Sequence, residues 1–459
     1  MALWTKSSDI LGRKYTTIAA FVILLAFSIG CGCATTVNQL IIFRALQGIG
    51  GAGVYALAIL CIYEIAPKTK LPTYSGLMSF CLVLASLIGP IFGGALAKDA
   101  AWRWVFFIKY VNRQQNFRYY TDVTNTLSVP LCAIAIVILI IAMPKNFGLD
   151  QHTPSLRTRA SYRSFANLDL VGSLLLVSGT FLTISVLNEV NLAFKWSSRS
   201  AIALLVLAGI SWAGFFAWEW HLSDVPKQDP IFPKRWFFDR AWMGILISSF
   251  VTGAVFNVVL VYVPQQAQLL LGKSPLDAGI YLIGYSAVGA VAAGLVNIAS
   301  SRGRIPFIYS LLVGCTLHTV GVGLLSTIAS SRGFHATDIV YEVIAGAAIA
   351  TGFVVQLRFL GGALGLAIAS NILNGRLAYH LEGILTRHEL HLFLENVESI
   401  KGLPIYLQDE VKNVFAGSYS TQLRVMIGFA AAQLPAVLLL IKPGHQLAAR
   451  KERSHSASE

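Results

Sequence analysis

Long apolar runs, joined by short polar connections, recur along almost the whole chain and constrain its fold more than any other feature. A helix needs roughly 20 apolar residues to cross the hydrocarbon core of a bilayer. Lipid offers no hydrogen-bond partners to free backbone groups, so each run is expected to be helical. The candidate spans are 15–35, 39–62, 74–97, 129–143, 168–188, 201–219, 242–264, 278–299, 306–328, 339–374 and 422–441. The sequence therefore predicts an all-α polytopic membrane protein.

Composition and charge agree with a membrane protein. The chain is 55% hydrophobic and only 12% charged, whereas soluble domains are charged at about a quarter of their positions. The net charge of +13 comes from bases in short loops between the apolar runs, where the positive-inside rule places them. We therefore predict that the chain lies in a lipid bilayer and that it binds no nucleic acid.

The residue types that catalysis and cofactor binding require do not form recognisable sets. The six cysteines lie in or beside apolar runs, where a free cysteine behaves as a small hydrophobe, so neither a disulfide nor a metal site is predicted. There is no phosphate-binding Walker loop, and ATP-driven transport is unsupported. We expect no cofactor and no enzyme activity.

The basic loops also predict an orientation. With residues 1–14 in the cytosol, the cytosolic loops carry more Lys and Arg than the outer loops. Residues 1–14 are polar and lack the apolar core of a signal peptide. A single crossing by 339–374 would put the basic tail outside, so two short or broken spans are expected there.

A charged turn sits near the start of the chain, with Asp9, Gly12, Arg13 and Lys14 ahead of the first apolar run. Gly12 permits a tight turn between two helices, and the two bases would hold that turn at the cytosolic face. Asp9 could cap a helix or pair with a base on a neighbouring helix. The turn is either a conformational latch or an ordinary positive-inside loop.

A basic residue followed by small residues occurs twice inside apolar runs. Arg44 lies within the second run, where a charge is expensive and usually functional, although it is near enough to the outer end to snorkel. Gln47 shares its helical face, and Gly48 begins a smooth packing surface. Gly361 and Gly362 follow Arg358 in the same way, as an internal repeat would produce.

Two further features concern bending and protonation. Gly89, Pro90, Gly93 and Gly94 lie late in the third run, where proline bends a helix and glycines let another helix approach.

Carboxylates within the spans are scarce, and Glu342 is the best candidate for a proton-binding acid or else an interfacial carboxylate. Other acids lie at span ends: Glu64, Asp169, Glu189 and Glu219.

Taken in order, the turn at 9–14, the segment at 44–48 and the bend at 89–94 resemble the cytosolic-loop, proton-relay and antiporter motifs of the major facilitator superfamily. The segments 102–106 and 358–362 make the chain similar to the fungal fourteen-span drug:proton antiporters, which are multidrug and toxin efflux pumps. The resemblance implies a helical bundle, here with about eleven to twelve spans, that works by alternating access.

The resemblance also implies roles for the motif residues. It gives a latch role to Asp9, Gly12, Arg13 and Lys14, a proton-coupling role to Arg44, and an antiporter bend to Gly89, Pro90, Gly93 and Gly94. We add Gln47 and Glu342 to the proton-coupling set, and Gly48, Gly361 and Gly362 as packing positions.

The domain organisation follows from the same resemblance. It assigns 1–143 to the N-terminal helical half, 144–241 to a basic cytosolic linker and two extra central spans, 242–441 to the C-terminal half, and 442–459 to a cytosolic tail. Three departures from the family pattern suggest gene-model errors: two missing first spans, the polar segment 109–128, and an apparent loss near 350. The segment 109–128 is either translated intron or a real external loop.

The expected function is export of a drug, toxin or secondary metabolite by a monomeric carrier that exchanges its small-molecule substrate for protons. The alternatives are an uptake carrier for sugars or siderophores and a transport-dead truncated membrane protein. The plasma membrane is the expected location, with the vacuolar membrane as the alternative.

Overall fold

The structure is a computed structural model, and it describes a defined part of the chain. The described ranges are 1–34, 36–67, 124–144, 169–190, 194–225, 230–274, 307–328, 336–346, 355–381 and 405–441, with scattered positions at 74–85, 147 and 277–292. Within these ranges the regular structure is helical, apart from an isolated bridge between Val190 and Phe194.

Twelve helices are named here in chain order. They are α1 Ala2–Leu11, α2 Arg13–Cys33, α3 Val37–Ile65, α4 Thr124–Ala142, α5 Leu170–Glu189, α6 Arg199–Leu222, α7 Arg235–Phe238, α8 Arg240–Leu270, α9 Phe307–Ile328, α10 Ala336–Gly346, α11 Val355–Leu381 and α12 Ile405–Leu438. Eight of them are long and apolar enough to cross a membrane. The prediction of an all-α, multi-pass membrane protein is therefore confirmed.

The described chain divides into two compact units. The first unit comprises Met1–Phe181, Val206–Ile231 and Val263–Ala287. In it, α2 packs against α3 and α4. A Cβ on Gly50 of α3 would lie only 2.5 Å from the backbone nitrogen of Leu24 on α2, so the two backbones approach as closely as small residues permit.

The second unit comprises Leu182–Leu205, Phe232–Tyr262 and Val288–Glu459. In it, α9 packs against α10 and α12, and α11 packs against α12. One buried cluster joins Leu311 and Cys315 of α9 to Val437 of α12. A hydrogen bond of 2.9 Å from the Ser420 hydroxyl to the carbonyl of Ser326 connects the same two helices further along.

Residues 2–11, which precede the first predicted span, form α1. The indole nitrogen of Trp4 donates to the carbonyl of Ile49 at 3.0 Å, and the Trp4 ring faces Gly53. Contacts with α3 therefore stabilise a helix whose own hydropathy is too low to reveal it.

The last helix is longer than predicted. It begins at Ile405, well before the predicted start at 422, and α11 continues to Leu381, beyond the predicted end of its span at 374. The prediction was wrong because it counted every polar residue as unfavourable. Two polar side chains in the missed part of α12, Ser418 and Ser420, are buried within the second unit and do not face lipid.

The predicted double crossing at 339–374 corresponds to two helices, the short α10 and the full-length α11. The residues between them, 347–354, lie outside the described part of the chain. Helix α4 begins at Thr124, inside the segment 109–128 that was set apart as anomalous, and 109–123 are not described. The domain boundaries stay predictions.

Candidate functional site

The turn between α1 and α2 has the geometry that its glycine predicts. Gly12 has φ 94° and ψ 148°, a backbone conformation that other residues adopt only with strain. Its amide donates to the carbonyl of Ser8 at 3.0 Å and ends α1. The turn places Ser8 and Asp9 beside Arg13 at the start of α2.

Arg13 is the centre of this site. Its side chain is buried, and its guanidinium contacts Ser8 and Asp9 on α1 and Glu64 near the end of α3. The Nε atom lies 3.0 and 3.2 Å from the two Glu64 carboxylate oxygens, and Nη2 lies 2.7 Å from Oε1. Paired contacts of this kind are among the strongest hydrogen bonds in proteins.

The acceptors around Arg13 lie nearer to water than the guanidinium does. The Asp9 side chain is 61% exposed and that of Glu64 is 30% exposed, compared with 9% for Arg13. A buried cation with partners at the water boundary is fully compensated, yet its partners can be rehydrated when they separate. We call Ser8, Asp9, Arg13 and Glu64 the latch cluster.

Lys14 extends the same junction to α4. Its ammonium donates to the carbonyls of Ile140 and Met143 at 2.7 and 2.5 Å. These carbonyls lie at the end of α4, where a cation also interacts favourably with the helix dipole. Arg13 and Lys14, adjacent in sequence, therefore fasten the start of α2 to three other helices.

Sequence reasoning named Glu64 only as an acid at a span end and missed its part in the latch cluster. A signal was available, because consecutive spans run antiparallel when a short loop joins them. The end of α3 must then lie beside the start of α2, and Glu64 is an acid placed at that end.

A second polar group joins the middle of α2 to α3. Arg44 Nη1 donates to the side-chain oxygen of Gln47 at 3.2 Å, and Gln47 Nε2 donates to the Ser28 hydroxyl at 2.7 Å. The Cys31 thiol is 3.8 Å from the same Gln47 oxygen. Gln47 is buried, whereas Arg44 is half-buried. The predicted neighbours Arg44 and Gln47 thus form a short hydrogen-bonded chain across the helix pair.

Glu342 is fully buried on α10 in the second unit. One turn further along α10, the backbone of Ala345 lies against Gly321 of α9 so closely that a Cβ on Gly321 would overlap it. Residues three apart share a helical face, so Glu342 lies on the side of α10 that packs against α9.

The glycines named as packing positions occupy different surroundings. A Cβ on Gly361 of α11 would overlap the carbonyl oxygen of Phe250 on α8, and one on Gly362 would overlap the Asn257 side chain. A Cβ on Gly48 would meet no described atom within 4 Å, so its packing role stays a prediction. The bend residues Gly89, Pro90, Gly93 and Gly94 lie outside the described part of the chain.

Comparisons with known proteins identify relatives of this chain. A family model described as the Major Facilitator Superfamily matches residues 1–109. Over 465 residues the chain is 31% identical to the MFS-type transporter FPY5 of Fusarium mangiferae, covering 96% of this chain and 75% of that protein. It is 26% identical to the MFS-type efflux pump MMF1 of Pseudozyma antarctica, covering 94% of this chain and 78% of that protein.

A further relative and a solved structure complete the comparison. The efflux pump dotC of Dothistroma septosporum is 26% identical, over 96% of this chain and 74% of that protein. The crystal structure of a bacterial homologue of the human lysosomal transporter Spinster covers 92% of this chain and 81% of its own, with a TM-score of 0.50 and 13% identity. The chain therefore belongs to the major facilitator superfamily, a family of membrane transporters and not of enzymes.

Proposed function

We propose that this transporter exports a small molecule, namely a drug, toxin or secondary metabolite, in exchange for protons. Two of its relatives, MMF1 and dotC, are described as efflux pumps, which supports the direction of transport. The observation that carries the proposal is the latch cluster, in which Arg13 ties α1 to α3 through Asp9 and Glu64.

Alternating access needs a junction that holds in one state and releases in another. The latch cluster suits this task because Asp9 and Glu64 pair with the buried guanidinium of Arg13 while both carboxylates stay accessible to water. Opening it would rehydrate groups that already lie at the boundary, so the two states can differ by a few kcal/mol. A fully buried ion pair would be harder to separate.

Proton exchange needs groups that respond to a passing proton. Arg44 and Gln47 form a hydrogen-bonded chain to Ser28, and the buried carboxyl of Glu342 is the acid that we assign to proton binding. A buried carboxyl changes its charge at a large energetic cost, which is how protonation can select one conformation over another.

The proposal is tested by expression in a yeast strain that lacks its own export pumps. Cells are loaded with a panel of fungal toxins and fluorescent dyes, and retention is measured for wild type, Arg13→Gln and Arg44→Ala, with and without a proton uncoupler. We expect lower retention in wild type and restored retention in both variants and with the uncoupler. Glu189→Gln, an exposed acid at the end of α5, is the matched control.

Other results would support other functions. Protein-dependent accumulation of sugars or siderophores would support the uptake carrier, and retention equal to that of empty cells would support the transport-dead protein. Export that persists in Arg44→Ala and with the uncoupler would contradict proton antiport. A fluorescent fusion distinguishes the proposed plasma membrane from the vacuolar membrane.

A further inference from the structure

Asp169, the residue immediately before α5, joins the start of this helix to α6. Its Oδ1 accepts from the backbone amide of Gly172 at 2.8 Å, as a helix N-cap does. The same oxygen accepts from the indole nitrogen of Trp218 on α6, also at 2.8 Å. Asp169 is only 5% exposed, so these two donors replace most of the water that an aspartate would otherwise bind.

The second carboxylate oxygen of Asp169 has a different environment. Asp169 Oδ2 is buried and accepts no hydrogen bond from any described residue, and it points over Gly172, where an added Cβ would overlap it. Leaving a buried carboxylate oxygen without a donor costs free energy. Asp169 Oδ2 is therefore placed to accept a hydrogen bond from a titratable neighbour that can donate only when it is protonated.

Glu219 supplies that group. It lies on α6 next to Trp218, is 1% exposed, and its Oε1 is 2.7 Å from the same Cβ position on Gly172. Asp169 Oδ2 and Glu219 Oε1 both lie beside this position, so they are no more than about 5 Å apart. Two buried carboxylates this close together do not both stay ionised.

The two acids are not equivalent. Asp169 receives two hydrogen bonds on Oδ1 and sits at the N-terminus of α5, where the helix dipole favours a negative charge. Glu219 lies within the last turn of α6, where the dipole disfavours a negative charge. The negative charge therefore belongs on Asp169 and the proton on Glu219.

The other charged or titratable groups on these helices are more distant or exposed. The ring of His221 is 6.3 Å from that of Trp218 and is exposed, as is Asp224 just beyond α6. Glu189 and Arg199 lie at the opposite ends of α5 and α6.

We propose that Asp169 and Glu219 form a proton-binding site, in which the Glu219 carboxyl donates its proton to Asp169 Oδ2. The site holds one negative charge and one proton, and it loses that proton only when water or a cation reaches the pair. It is built on residues outside the motifs described above. The inference does not depend on the direction of transport or on the transported molecule.

The test is infrared difference spectroscopy on the full-length protein in lipid nanodiscs at neutral pH. We expect Glu219→Gln to remove one protonated-carboxyl band that wild type shows. We expect Asp169→Asn to shift that band, because the acceptor of its hydrogen bond changes from a carboxylate to an amide. Glu189→Gln should leave the band unchanged, and Glu342→Gln separates any contribution of the other buried acid.

Three outcomes would overturn the proposal. The first is an unchanged carboxyl region in Glu219→Gln, and the second is an unshifted band in Asp169→Asn. The third is loss of the wild-type band with sodium chloride but not with choline chloride, which would identify a metal cation as the occupant. Glu219→Gln keeps the size of the side chain, so the experiment does not rely on a destabilised variant. Since no transport is measured, failure of the export proposal would leave the result interpretable.

Discussion

Arg13 and Glu64, 51 residues apart in sequence, meet through a bidentate contact between a guanidinium and a carboxylate. This contact joins the start of α2 to the end of α3, while the Glu64 side chain stays 30% exposed. The pair gives the first prediction.

Replacing Glu64 with Gln should weaken the first unit. The amide keeps one hydrogen bond to Arg13 but loses the charge that compensates the buried guanidinium, so we expect a loss of about 1–3 kcal/mol of stability. Thermal unfolding in detergent measures this, with Glu189→Gln as the control for removing an acid from a helix end. Equal melting temperatures for wild type and Glu64→Gln would contradict the role of the pair.

Replacing Gly12 with Ala should strain the turn between α1 and α2. Gly12 has φ 94° and ψ 148°, a region open almost only to glycine, and a side chain there costs about 1–3 kcal/mol. We expect a lower melting temperature and faster proteolysis within residues 1–14. Gly209→Ala on α6 is the matched control, since a Cβ there meets no described atom within 4 Å; similar effects of both changes would argue against a special backbone requirement at Gly12.

Replacing Lys14 with Met should loosen the connection between α2 and α4. The change leaves the carbonyls of Ile140 and Met143 without their donor, at a cost of about 1–3 kcal/mol. Arg in the same position should retain most of the stability because it can also donate to carbonyl oxygens. Cross-linking between cysteines introduced near 14 and 143 measures the spacing, and unchanged cross-linking in Lys14→Met would refute this role.

Replacing Gly361 with Ala should disturb the packing of α11 on α8. The added methyl group would overlap the carbonyl of Phe250, and overpacking of this kind costs about 1–3 kcal/mol. We expect a lower melting temperature and lower yield of folded protein. Gly417→Ala on α12, where a Cβ meets no described atom within 4 Å, should have little effect and provides the comparison.

The helices were predictable to the extent that each depends on its own hydropathy. The predicted spans 15–35, 201–219 and 306–328 lie within a few residues of α2, α6 and α9, because a long apolar run has one stable form in lipid. The start of α12 was missed, because its first turns carry polar residues that a hydropathy pattern assigns to a connection.

The candidate site was likewise predictable from the sequence only in part. The turn at Gly12 and the neighbouring bases were visible in the sequence, since they are consecutive residues. Glu64 was visible only as an acid at a span end, and the carbonyls of Ile140 and Met143 were not visible at all, because the identity of a partner depends on which helix ends meet.

The sequence alone therefore determined that this chain is a bundle of membrane helices and where the turn at Gly12 lies, because hydropathy and turn chemistry act over a few neighbouring residues. The tertiary structure alone decided what Arg13 and Lys14 bind, how far α12 extends and that Asp169 and Glu219 both lie beside Gly172. Each of these depends on whether a polar side chain faces lipid, water or another helix, and packing sets that environment.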